Sequence, residues 1–63
     1  MKISYYTVEV QRDSADFSDA KTTSESAYLE IAYRKFNETK GHRRLIGWLD
    51  EGFAHSPVEL ERV

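Results

Sequence analysis

No covalent staple is open to this chain: its 63 residues contain no cysteine, which rules out a disulfide framework and a thiolate metal site. That constrains the fold more than any motif does. A single unstapled core of this size supplies only about 3–5 kcal/mol of net stability, and residues 1–63 have room for one domain. The chain must therefore fold on its aromatics or gain stability by self-association. Eight aromatics are present: Tyr5, Tyr6, Phe17, Tyr28, Tyr33, Phe36, Trp48 and Phe53. Each buries on the order of 150–250 Å² when enclosed. The lack of cysteine suits a cytoplasmic setting. The longest apolar run, Leu45 to Leu49, is far too short to span a bilayer, and the opening MKISYYTVEV alternates where a signal peptide would be continuously apolar. A soluble, cytoplasmic chain with no membrane partner is expected.

The alternation over residues 3–12 (ISYYTVEVQR) predicts a strand, with Tyr6, Val8 and Val10 on one face and Ile3, Tyr5, Thr7 and Glu9 on the other. Residues 13–19 (DSADFSD) are rich in turn formers. Phe17 is expected to pin a second, irregular strand running through Ala20 to Thr22, which closes a hairpin. TTSES reads as a helix start, because Thr22 with Glu25 fits a capping box and Thr23 is an equally good cap. The helix then runs through SESAYLEIAYRKFNE. Ala27, Tyr28, Ile31, Ala32 and Phe36 form its apolar stripe, widened by Leu29 and Tyr33, so Tyr28, Ile31, Ala32 and Phe36 are expected to face a sheet. Glu25 in the first turn and Arg34 and Lys35 near the end suit the helix dipole, and Gly41 is a natural stop.

RRLIGWL fits both a helical and an alternating period. The strand is favoured on two grounds. Arginines before the run and Asp50-Glu51 after it would oppose a helix dipole, and a central glycine would cost a short helix about 1 kcal/mol. DEGFAHSP is then a loop, and VELERV a last strand with Pro57 at its start. The expected fold is α+β: a small two-layer domain with an antiparallel or mixed sheet of three to four strands packed on one helix, in the order ββαββ.

Charge is segregated along the sequence. Residues 34–44 hold five basic residues and one acid, a net +4, against −6 for the rest. Lys40, His42, Arg43 and Arg44, with Arg34 and Lys35 one turn earlier, are positioned to contact phosphates, and Trp48 or the tyrosines to stack on bases. The isoelectric point near 5.6 argues against this, since dedicated nucleic-acid binders usually exceed about 9. The plainer alternative is a solvated helix end and a charged strand entrance. Tyr5 and Tyr6, adjacent in a strand, must point to opposite faces, so one lies away from the helix, and tyrosine is frequent at interface hot spots. The candidate partner-binding residues are thus Arg34, Lys35, Lys40, His42, Arg43, Arg44 and Tyr5.

No catalytic, cofactor or metal residues are expected. His42 and His55 stand thirteen apart with no HxH or HExxH pattern. The serines lie in turns or caps rather than in GxSxG, and Gly41, Gly47 and Gly52 are never clustered into a phosphate loop. One short helix on a small sheet hardly encloses a pocket in which to tune an acid–base pair.

The layout, a hairpin from YYTVEVQRDSADFSDAKTT, then SESAYLEIAYRKF, then a strand, resembles that of very small phage-encoded inhibitor proteins, of the RNA polymerase inhibitor or anti-CRISPR type. The resemblance covers element order over residues 3–50, and no functional residue carries over from it. It implies a non-catalytic protein that blocks a host machine by occupying a charged surface. The expected function is therefore a non-enzymatic protein-interaction module, an accessory or inhibitor of a phage or mobile element, with a protein partner and a homodimer. The alternative is a nucleic-acid-associated accessory protein using the basic cluster 34–44.

Overall fold

The computed structural model describes residues 2–11 and 20–63. Strands β1 (Lys2–Gln11) and β2 (Lys21–Ser26) precede the helix α1 (Leu29–Glu38), and β3 (His42–Asp50) and β4 (His55–Arg62) follow it. Every adjacent pair is antiparallel, in the spatial order β2-β1-β3-β4. The protein is a small α+β domain, one four-stranded antiparallel sheet with one helix. RRLIGWL lies in β3, an interior strand flanked by β1 and β4, in which Leu45, Ile46 and Gly47 are buried.

The helix lies over β2, β1 and β3 and leaves β4 uncovered. Val8, Leu45, Ala32 and Phe36 form the core between the layers, with Tyr6, Tyr33 and Leu60 packed at its margin. Burying a side chain such as Phe36 or Leu45 contributes roughly 1.5–3 kcal/mol relative to exposure. The expected inward positions of Ala32 and Phe36 hold. Tyr28 does not face the sheet: it is the N-cap residue and 65% exposed.

TTSES is strand, not helix start. Thr22 pairs with Glu9 and Glu25 with Thr7 in the ladder to β1, so β2 runs on to Ser26 instead of ending at Thr22. A local capping signal has lost to non-local pairing, because the backbone groups of β1 find partners along that whole stretch. The Tyr28 amide donates to the Ser26 hydroxyl oxygen at 3.0 Å, and the helix begins later, at Leu29, with Glu30 as the acid of its first turn. At the other end the Thr39 amide reaches the Lys35 and Phe36 carbonyls, and Gly41, at φ +90°, turns the chain into β3 in a conformation that favours glycine. Phe17 and its turn lie outside the described residues.

Each ladder carries one irregularity, and each inserted residue lies outside β3: Ser4 in β1, Thr23 in β2 and Leu60 in β4. Ser4 has the largest effect. Because Ile3 pairs with Leu49 while Tyr5 pairs with Trp48, Ile3 leaves the face of Tyr5 and joins the helix side, where alternation alone would not put it. There it closes over Gly47. A β-carbon on Gly47 would sit 3.0 Å from Ile3 Cδ1 and 3.3 Å from Leu60 Cδ1.

Pro57 lies inside β4 rather than at its start. Arg43 and Val63 exchange two backbone hydrogen bonds, so by alternation the odd-numbered residues of β3 bond to β4. Pro57 is opposite Trp48, a position whose nitrogen points outward from the sheet and needs no partner strand.

Candidate functional site

The sheet has two unlike faces. One is covered by α1. No described element lies over the other, which is ordered in rows across the strands. Pro57, Trp48 and Tyr5 form one row, and Glu59, Ile46, Thr7 and Glu25 the next. Arg62, Arg44, Glu9 and Thr22 form a third, with His42 and Gln11 beyond it. β3 places Trp48, Ile46, Arg44 and His42 here because its regular alternation sends every second residue to this side.

The aromatic row is tied down. The rings of Tyr5 and Trp48 lie nearly parallel, 13° apart, with centroids 5.9 Å from each other. His55 meets Tyr5 edge-on at 5.4 Å, and its Nε2 is 3.5 Å from the Ser4 hydroxyl. The indole N–H of Trp48 donates to Thr7 Oγ1 at 2.9 Å. That bond satisfies the hydroxyl of Thr7, a polar side chain only 5% exposed. Ile46, flanked by Arg44 and Trp48 along the strand, is 2% exposed.

The polar rows neutralise themselves. Arg44 bonds Glu9 through both Nη2, at 2.7 Å, and Nε, at 2.8 Å, and its other Nη is 3.8 Å from Glu59. Arg62 pairs with the same Glu59 at 2.6 Å. Two bases and two acids thus form one chain across three strands.

This arrangement divides the basic cluster. Arg44 belongs to the uncovered face, whereas Arg43 points to the helix side. There its Nε donates to the Phe36 carbonyl at 2.7 Å, its Nη1 to the Gly41 carbonyl at 3.1 Å, and its guanidinium lies 4.8 Å from the Phe36 ring centroid. Arg34, Lys35, Lys40 and His42 are exposed, and none of the first three makes an ion pair among the described residues. Of the seven candidate residues, only Tyr5, Arg44 and His42 share the uncovered face. Alternation places Thr7 on the face of Tyr5, but the sequence does not reveal that Trp48 and His55 join them, because that depends on the pairing of β1 with β3 and of β3 with β4.

Compared with family models, curated proteins and solved structures, the chain matches none. Among the described residues, no group of three histidines or acids is placed to hold a metal ion, and no helix is long and apolar enough to cross a membrane.

Proposed function

We propose that the protein is a non-catalytic interaction module whose recognition surface is the uncovered sheet face around Tyr5 and Trp48. The single observation that carries this is the braced aromatic row on a face that no described element covers. Aromatic side chains fixed by neighbours lose little rotamer freedom on binding, and for that reason tyrosine and tryptophan recur as anchors of protein interfaces. The mode of action that accompanies the resemblance to small phage inhibitors is obstruction: the module occupies a surface that a host machine needs.

Nucleic-acid association is the weaker reading. Arg43 and Arg44, the centre of the basic cluster, point to opposite sides and are engaged with groups of the fold itself, so they offer no continuous cationic track to a phosphate backbone.

The test is affinity capture from the cells in which the protein acts, with the parent chain and Tyr5→Arg as baits. A partner retained by the parent and lost by the variant, then reproduced by calorimetry with both proteins purified, supports the assignment. Equal retention by both baits refutes it. Salt titration separates the nucleic-acid alternative, for which three to five phosphate contacts would give a log–log slope of about −2.7 to −4.5.

A further inference from the structure

We infer that the uncovered face binds a second copy of the chain, giving a symmetric dimer with the two sheets inside and the two helices outside. This rests on the uncovered face being the recognition surface, and it identifies one occupant of that surface.

The first ground is charge. By register the face holds Lys2, Arg44 and Arg62 against Glu9, Glu25, Asp50 and Glu59, and Arg44, Arg62, Glu9 and Glu59 are already joined in one chain of ion pairs. A surface that cancels its own charge exerts little pull on a strongly acidic or basic partner. It also meets a copy of itself without a large like-charge penalty.

The second ground is symmetry. A two-fold axis parallel to the strands sets the row Pro57–Trp48–Tyr5 against the same row of the copy with strand order reversed. That operation sets Trp48 against Tyr5 of the copy and Arg44 against Glu9, each twice over, while Arg62 meets Thr22 and Glu59, already paired with Arg44 and Arg62, meets Glu25. Such an interface is isologous and closes at two copies. Twisted sheets of one hand pack face to face at roughly 30°, so two identical sheets need no special adjustment.

The third ground is area. The strands contain 10, 6, 9 and 8 residues. At about 3.3 Å per residue and about 4.8 Å between strands, the flat footprint is on the order of 500 Å² per copy. Two copies reach the ~1,000 Å² that a specific interface needs, and side-chain relief adds to it. The dimer would compete with any other partner for the same face, so heterologous binding would weaken as the protein is concentrated.

The test is sedimentation equilibrium over a wide concentration range, together with acrylamide quenching of Trp48, the only tryptophan. The expected result is a species of twice the 7.3 kDa chain mass, with Trp48 less quenched as concentration rises. Tyr5→Glu should raise the dimer dissociation constant more than about tenfold, the effect of losing an interface anchor, while Tyr28→Glu, on the helix side, should leave it unchanged. The quenching series needs no substitution, so it stands even where a variant fails to fold. A monomer at every concentration overturns the dimer without touching capture of another partner, which fails only by the Tyr5→Arg comparison above. A dimer in which Trp48 quenching does not change, or which Tyr28→Glu weakens as much as Tyr5→Glu, overturns the assignment of the face.

Discussion

Arg43 reaches back across the α1–β3 turn and holds the end of the helix through Phe36: its Nε bonds the Phe36 carbonyl at 2.7 Å and its guanidinium stands 4.8 Å from the Phe36 ring. One cation thus bonds a carbonyl of the last helical turn, which the Thr39 amide also reaches, and caps an aromatic ring of the core. Arg43→Lys keeps the charge but cannot make the forked contacts. It should cost about 1–3 kcal/mol, the range for losing a charge-assisted hydrogen bond and a cation–π contact, measured by urea denaturation. Replacing both Arg43 and Arg44 by glutamate should therefore unfold a substantial fraction of the protein, because each arginine is part of the structure.

Phe36 is 3% exposed and Tyr28 65% exposed. Phe36→Ala should cost about 3–5 kcal/mol, comparable with the whole stability expected of a 63-residue chain. Tyr28→Ala should change stability by no more than about 0.5 kcal/mol. Thermal melts of the two variants side by side are the check, and equal losses would show that the helix face is misassigned.

The hydroxyl of Thr7 accepts the indole N–H of Trp48 beneath the uncovered face. Thr7→Val keeps the shape of the side chain and removes the acceptor. It should cost about 1–3 kcal/mol, the penalty for stranding a partly buried donor. It should also shift the Trp48 emission spectrum, whereas Ser24→Ala on the other face should not.

Gly47 has Ile3 and Leu60 over its α-carbon. Gly47→Val drives a branched side chain into that contact and should cost about 1–3 kcal/mol from overpacking. Ile3→Ala in the same background should recover part of the loss. A double-mutant cycle without coupling would mean that the two positions do not meet.

The most legible parts of the sequence were those in which local and global preferences agree. Ala32 and Phe36 lie on the inner face of a periodic helix, and Ile46 and Trp48 alternate with Leu45 and Leu49 in an interior strand. The misleading parts were those in which a residue inserted in one strand resets its neighbours. Ser4 sends Ile3 to the helix side, and the β1 ladder recruits Thr22 to Ser26 although Thr22 and Glu25 fit a helix cap. Neither outcome has a local signal, because both depend on which strand lies alongside. Of the candidate site, Tyr5 was legible as an outward-facing aromatic. The basic cluster misled for the opposite reason: five charges adjacent in sequence say nothing about face, and consecutive strand residues such as Arg43 and Arg44 must diverge.

Pro57 has a further consequence. A sheet that is free at both sides is a natural seed for fibres, since its outermost strands offer backbone groups to any passing extended chain. Here one margin contains a proline whose nitrogen points outward, and the other is only six residues long and interrupted at Thr23. Lateral growth, strand upon strand, is obstructed on both flanks. Two molecules are left free to stack through their flat sides but not to lengthen each other, so the protein should stay dispersed at concentrations at which a plain four-stranded sheet would gel.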